Sequence, residues 1–266
     1  MFEENHLKVY VKRDDLLHPI VTGNKWRKLK EYLLIAQNKN LKGIISFGGA
    51  FSNHIYSLAY VCHKLNISLE LIIRGDELNE NSNDFLKQIA DWGAKLFFVD
   101  RTNYRNKVLP PQLKTDDKLL IPEGGFSEIG VDSLKDLANE LWDIQMDEMF
   151  LAVGTGTTLL GLAKYLPQVK LNGILSLSNQ DEIENNRKLM KIDTNNIHLW
   201  PDFISKKYGK KNTELMEFCT FFYDTFNIKI EPIYTGLMFK SFFDLVQKKH
   251  FVPNSTIVLL HSGGVK

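Results

Sequence analysis

Lys25 is the residue best placed to act as a nucleophile. It lies in Thr22-Gly23-Asn24-Lys25-Trp26-Arg27-Lys28-Leu29. Leu29, Leu33 and Leu34 carry helical spacing, and Asn24 is a helix-start residue whose side chain can accept from free first-turn amides. Lys25 then stands at the positive end of a helix dipole, where nothing favours a cation. A lysine so placed has reason to lose its proton, and a neutral amine is a nucleophile. Lys28, three residues on, shares its face. The same spacing also suits two solvated lysines on a surface helix, so the stretch alone leaves both readings open.

Three apolar runs end in glycine-rich polar loops. Residues 149–153 lead into Gly154-Thr155-Gly156-Thr157-Thr158, and a helical pattern follows. Glycines let backbone amides converge, threonines add hydroxyls, and a helix N-terminus favours an anion. The loop lacks the Gly-Lys-Ser/Thr ending of a nucleotide P-loop, and Gly161 falls too late for a dinucleotide fingerprint. A single phosphate monoester fits better than a pyrophosphate; a plain strand-to-helix turn with capping threonines fits equally well. Residues 44–47 lead into Gly48-Gly49-Ala50-Phe51-Ser52-Asn53-His54. Ser52 is a natural helix cap. Asn53 and His54 then stand at an amide-rich helix start suited to a carboxylate, although a lone histidine is more often structural. No base–orienter pair and no Gly-x-Ser-x-Gly supports a hydrolase triad around Ser52. Residues 256–260 end in His261-Ser262-Gly263-Gly264, either a terminal turn or a hydroxyl presented at a sheet edge.

Composition narrows the class. A chain of 266 residues allows one large domain or two modest ones. Its 44% hydrophobic and 24% charged content fits an ordinary globular protein. A net charge of +1 draws it to neither nucleic acid nor an anionic membrane. The acidic start is unlike a secretory signal, no apolar run approaches a membrane span, and no cysteine–histidine cluster has metal-site spacing. Cys62 and Cys219 read as buried free thiols of a reducing compartment. A metal-free cytoplasmic protein is expected.

The elements that must position these residues alternate. Strands are expected at 7–13, 44–47, 69–73, 95–99, 149–153, 172–177 and 256–260, and residues 119–122 lead into Glu123-Gly124-Gly125-Phe126-Ser127. Helices are expected at 25–37, 52–65, 83–92, 132–143, 159–166 and 214–226. A last helix opens at Glu231-Pro232-Ile233-Tyr234-Thr235-Gly236 and runs to about residue 248. Residues 100–118 read as a long connection, 188–210 are the least readable, and the aromatic segment 218–226 suits core or interface. Repeated strand–helix alternation predicts an α/β chain with parallel sheets flanked by helices. In such sheets ligands sit beyond the carboxyl ends of strands.

Lys12-Arg13-Asp14-Asp15, Gly23-Asn24-Lys25-x-Arg27-Lys28-Leu29 and Gly48-Gly49-x-x-Ser52-Asn53-His54 occur in that order. The 154–158 loop, Tyr234-Thr235-Gly236 and His261-Ser262-Gly263-Gly264 follow. Together they resemble, over nearly the whole chain, the pyridoxal-phosphate-dependent family of 1-aminocyclopropane-1-carboxylate (ACC) deaminase and D-cysteine desulfhydrase. That family lies in the tryptophan-synthase-β-like group. The resemblance implies two α/β domains, a large cofactor-binding one from residues 1–34 and 131–266 and a smaller inserted one from 35–130. The cofactor would lie between them, in a homodimer.

It also implies roles. Lys25 would hold pyridoxal phosphate covalently and later act as a base. Lys28 with Gly154, Thr155, Gly156, Thr157 and Thr158 would bind the phosphate, and Asn53 would contact the pyridine 3-hydroxyl. Ser52, Asn53 and His54 would lie beside the substrate carboxylate, with Ser52 a possible acid–base or nucleophilic group. Tyr234 and Thr235 would face the substrate, and Ser262 would bond the ring nitrogen. A hydroxyl there withdraws electrons less than a protonating carboxylate would, which favours prompt expulsion of a β leaving group.

ACC deaminases carry Glu where Thr235 stands and Leu where Ser262 stands. These departures favour β-elimination from a small amino acid such as D-cysteine, giving pyruvate, sulfide and ammonia. ACC deamination to 2-oxobutanoate and ammonia is the alternative. A cofactor-binding protein without catalysis and a nucleotide-binding α/β enzyme are readings from other classes. The family usually has more sequence at both ends, so a thinner large domain, an exposed subunit surface or reduced activity is also expected.

Overall fold

The computed structural model describes residues 6–176, 178–192, 195–203 and 213–264. Strand β1 (Lys8–Arg13) precedes helix α1 (Asn24–Asn38), β2 (Gly43–Gly48) and α2 (Asn53–Leu65). Next come β3 (Ser68–Arg74), α3 (Asp84–Asp91), β4 (Lys95–Val99), α4 (Arg101–Arg105) and β5 (Lys118–Ile121). They lead to α5 (Glu128–Asp132), α6 (Lys135–Glu140), β6 (Glu148–Val153) and α7 (Thr157–Tyr165). Then follow β7 (Lys170–Leu175), α8 (Gln180–Leu189) and β8 (Ile197–Trp200). The described elements close with α9 (Thr213–Phe226), α10 (Thr235–Gln247) and β9 (Thr256–His261).

The chain divides into two units, Met1–Asn24 with Val131–Lys266, and Lys25–Gly130. A boundary after residue 34 would sever the last turn of α1. The division falls at Asn24/Lys25 instead, because the helix from Lys25 onward packs within the shorter unit.

In the longer unit a five-stranded sheet runs β1-β9-β6-β7-β8. Every adjacent pair is parallel, with Arg13 opposite His261 and Val153 opposite Leu175. The strand ends at Arg13, His261, Val153 and Leu175 therefore share one edge. Residues 257–261 are buried without alternation, as expected of a strand covered on both faces. Against this sheet α10 packs Phe239 and Phe242, with Phe150 of β6 edge-on to Phe242 at 5.4 Å. The aromatic helix α9 is split: Phe222 joins this core, while Phe221, Tyr223 and Phe226 stay exposed.

In the shorter unit the order is β4-β3-β2-β5, again all parallel. All six residues of β2 are buried. Ile45, Phe47, Ile72, Phe97, Tyr104 and Leu113 form a core. Asn83 caps α3 by accepting from Leu86 N, and Asp100 caps α4 by accepting from Thr102 N and Asn103 N.

Several elements depart from expectation. The connection at 100–118 contains α4, a five-residue helix made by its cap rather than by apolar periodicity. The helix expected at 132–143 breaks into α5 and α6. Helix α8 is unforeseen, and β8 falls within the unreadable stretch. Leu177, the expected end of β7, lies outside the described residues, as do 193–194 and 204–210. Cys62 is buried, but Cys219 is only half-buried. Among the described residues no helix is long and apolar enough to cross a membrane.

Candidate active site

In the longer unit β6 delivers the 154–158 loop to α7. Gly156 caps the helix at φ +83°, a left-handed conformation that favours glycine, and a side chain there would press within 3.2 Å of Ile183. Thr157 and Thr158 are the first, buried residues of α7, so its unpaired first-turn amides lie at this loop. The hydroxyls of Thr155 and Thr157 meet at 3.1 Å. Asn179 donates from Nδ2 to Gly154 O at 2.8 Å. Its Oδ1 and the Ser176 hydroxyl beyond β7 are buried without a hydrogen-bond partner among the described residues. Neither residue stands out in the sequence. Tyr234 folds over the same loop, with Cε1 3.5 Å from where a side chain on Gly154 would begin.

Thr235, next to Tyr234, does something other than expected. It is fully buried, and its hydroxyl proton goes to Glu231 Oε1 at 3.2 Å. The same carboxylate accepts from the amides of Ile233, Tyr234 and Thr235. Thr235 therefore has no proton left to donate to a substrate. Its hydroxyl and Glu231 shape the entry into α10 and so set Tyr234.

Ser262 follows β9 and sits against the start of α1. Asn24 N donates to Ser262 O at 3.4 Å. Gly23 has φ +57°, and a Cβ there would lie 1.9 Å from Ser262 O, so a side chain is impossible without moving this turn. Gly23 N donates to Asp14 O at 3.0 Å, and Gly264 N donates to Thr22 Oγ1 at 3.0 Å. The Lys12–Asp15 motif is the footing of this seat. Buried Asp14 pairs with Lys12 at 2.7 Å, and Arg13 grips Asp15 with two bonds of 2.8 Å. Asn24 Nδ2 donates to Thr158 Oγ1 at 2.9 Å, linking this seat to the cradle. Asn24 is the first residue of α1 rather than the residue before it. The structure thus gathers residues 154–158, Tyr234, Ser262 and Asn24 in one unit, and half-buried Lys25 follows Asn24 directly along α1.

In the shorter unit Lys28 is almost fully buried, and its Nζ donates to Gly124 O at 3.0 Å. It has no carboxylate partner among the described residues. Burial and the adjacent Lys25 charge hold its ammonium well below the usual lysine range. Tyr32, one turn further, donates to Gly125 O at 3.2 Å and meets Ser127 Oγ. This loop after β5 is a fourth glycine-bearing turn at a strand end; the Gly124-Gly125 pair after 119–122 was the available signal.

Ser52 precedes α2 in extended conformation, but its side chain makes no capping bond. Asn53 opens the helix, half-buried. His54 is buried, with Nε2 2.9 Å from Ser46 Oγ. Ser46 gives its single proton to Ile121 O at 2.9 Å, so it must accept from His54 Nε2–H. Nδ1 is then bare, and it has no partner among the described residues. Burial, then the Lys28 and Lys25 charges, lower the His54 pKa to about 3. The one proton of this ring is committed to Ser46, so His54 has none to offer an approaching carboxylate.

A profile of the pyridoxal-phosphate dependent enzyme family matches residues 1–263. A D-cysteine desulfhydrase of Salmonella paratyphi A is 24% identical over 97% of this chain and 87% of its own length. The solved structure of an ACC deaminase homologue superposes with a TM-score of 0.80, at 25% identity, over 99% of this chain and 86% of the other. A hydrogen sulfide-producing enzyme from Fusobacterium nucleatum shares the fold, with a TM-score of 0.66 at 17% identity over 96% of this chain and 89% of the other. The residues present fit a phosphate-bearing cofactor. In the longer unit the α7 start is glycine-capped and, among the described residues, Ser176 keeps a buried hydroxyl unpaired. On these grounds the chain belongs to the pyridoxal-phosphate-dependent enzymes.

Proposed function

We propose that this chain catalyses β-elimination from a small amino acid, with D-cysteine the preferred substrate: D-cysteine and water give pyruvate, sulfide and ammonia. Bound pyridoxal phosphate supplies an electron sink for the substrate's α-carbon. Lys25 holds the cofactor through Nζ and later carries a proton on the same atom. Lys28, the α7 amides and the 154–158 loop hold the phosphate. Asn53 meets the 3-hydroxyl, and Ser52 and Asn53 hold the substrate carboxylate. Tyr234, set by Glu231, faces the reacting carbons.

The observation that carries the reading is Ser262. Its carbonyl accepts from the amide of Asn24, the residue preceding Lys25, and its side chain, which would face the ring nitrogen, is a neutral hydroxyl. A hydroxyl keeps that nitrogen less protonated than a carboxylate would, which suits expulsion of a thiolate better than opening an unactivated cyclopropane. The desulfhydrase relatives support the same substrate. The ACC deaminase homologue favours a second reading, ACC to 2-oxobutanoate and ammonia. A cytoplasmic homodimer is part of the proposal.

Keto acid and sulfide release should be assayed with D-cysteine, L-cysteine, D-serine and ACC. D-cysteine is expected to give both products, and Lys25→Ala neither, together with loss of the yellow colour of bound cofactor. Turnover of ACC alone establishes the second reading. Cofactor binding with no turnover of any of the four makes the chain a binding protein.

A further inference from the structure

We propose that His261 is the positioning residue that aims the Ser262 hydroxyl and ties it to the segment carrying Tyr234. The proposal rests on the reading of Ser262 as the partner of the ring nitrogen.

His261 is the last residue of β9 and fully buried. Its Nε2 lies 2.7 Å from Lys229 O. A carbonyl only accepts, so Nε2 carries the proton. Nδ1 is then bare, and it accepts from Gly263 N–H at 3.3 Å. Each ring nitrogen has one partner, and the partners fix the neutral tautomer. The groups facing the ring agree: Phe239 packs against it at 5.9 Å between centroids, and Asp15 Oδ1 lies 3.8 Å from Nδ1 while engaged by Arg13. Burial holds the imidazole below its ordinary pKa, against the raising effect of Lys229 O and Asp15.

The two bonds lead to different parts of the site. Gly263 is the residue after Ser262 and has φ +85°. Its bond fixes the chain on one side of Ser262, while Asn24 N holds the Ser262 carbonyl. Lys229 lies two residues before Glu231, whose carboxylate accepts the Tyr234 amide at 2.9 Å. One imidazole therefore spans from the hydroxyl for the ring nitrogen to the strut beneath Tyr234.

Two substitutions separate the bonds. His261→Asn keeps an acceptor near the Nδ1 position but cannot reach Lys229. His261→Gln reaches Lys229 but removes the acceptor for Gly263. Amide exchange at Gly263 in the cofactor-free protein, and the absorbance spectrum of bound pyridoxal phosphate, are the primary readouts; kcat and KM are secondary. The wild-type Gly263 amide should be protected. His261→Gln should expose it about tenfold, the worth of one hydrogen bond. It should also shift the cofactor spectrum in the same direction as Ser262→Ala, and lower kcat more than it raises KM. His261→Asn should keep Gly263 protection and the wild-type spectrum. An unprotected Gly263 amide in the wild type overturns the proposal, as do two variants that behave alike. A spectral shift in Ser262→Ala with none in His261→Gln sinks the positioning role alone. No shift in Ser262→Ala removes the reading of Ser262, and the proposal with it.

Discussion

The turn around Ser262 is closed by hydrogen bonds to Asn24, His261 and Thr22, whereas in the shorter unit Lys28 is buried against one neutral carbonyl and His54 has a bare, buried Nδ1. The first region is built to be rigid before anything binds. Among the described residues, the second holds an amine bonded to a carbonyl alone and a ring nitrogen without a partner, a condition that costs stability until a ligand improves on it. The difference assigns tasks. The turn around Ser262 fixes geometry, whereas the surroundings of Lys28 and His54 leave polar groups poorly met.

The contrast can be broken in several ways. The largest effect concerns acid. His54 has a pKa of about 3 in the folded chain against 6.5 when exposed, so unfolding takes up a proton between those values. Its contribution is complete above pH 6.5 and declines as pH falls towards 3, by as much as about 5 kcal/mol. Denaturant titrations at successive pH values should show this slope in the wild type and a shallower one in His54→Gln. Equal slopes would mean that the shorter unit carries no such burden.

Gly23→Ala should come next, costing on the order of 4 kcal/mol, because it meets both a left-handed backbone and the Ser262 carbonyl. Chemical denaturation measures it, and a loss below about 1 kcal/mol would show that the turn is not rigid.

Lys28→Met should separate stability from binding. The cofactor-free protein should hold its stability or gain about 1–3 kcal/mol, since a buried amine whose charged form is disfavoured there is removed. Affinity for pyridoxal phosphate should fall about a hundredfold, the worth of a charge-assisted contact. Linkage gives a second reading of Lys28. Its folded pKa is lowered, so it is short of protons below its ordinary value of 10.5, and an arriving anion should restore them. Calorimetry in buffers of different ionisation enthalpy should show proton uptake on binding in the wild type and less in the methionine variant.

The smallest effect belongs to Thr22→Val, which removes the acceptor for Gly264 N and should cost about 1 kcal/mol by thermal melting. A gain in stability here would reverse the contrast.

Much of this was legible in local patterns. The helix bearing Lys25, the glycine turn at 154–158 and the serine after the last strand show because each joins an element boundary to an unusual residue type. Inner strands such as β2 and β9 are near-continuous apolar runs, and the repeated strand–helix alternation announces a parallel sheet. What pattern does not carry is pairing across the chain. Thr22 and Gly264 meet over 242 residues. Ser46 and His54 share a strand and the following helix, but only a fixed tautomer shows that the histidine has no proton to offer a carboxylate. Thr235 sits beside Tyr234 in sequence, yet its hydroxyl goes backwards to Glu231, a direction that composition does not encode. Short α4 and the break between α5 and α6 rest on caps and turns, which leave little periodic trace.

The parallel pairing of β1 with β9 also bears on how the chain is made. Residues 25–130 are contiguous and bring all four strands of their sheet together, so they can begin to fold as they leave the ribosome. Strand β1 is synthesised before them but must wait for Thr256–His261 to acquire its neighbour. Long-range parallel pairing of this kind is slow. The seat of Ser262 against Gly23 is therefore among the last contacts to close during biosynthesis, and a chain interrupted before β9 would leave the turn ahead of Lys25 without the carbonyl that holds it.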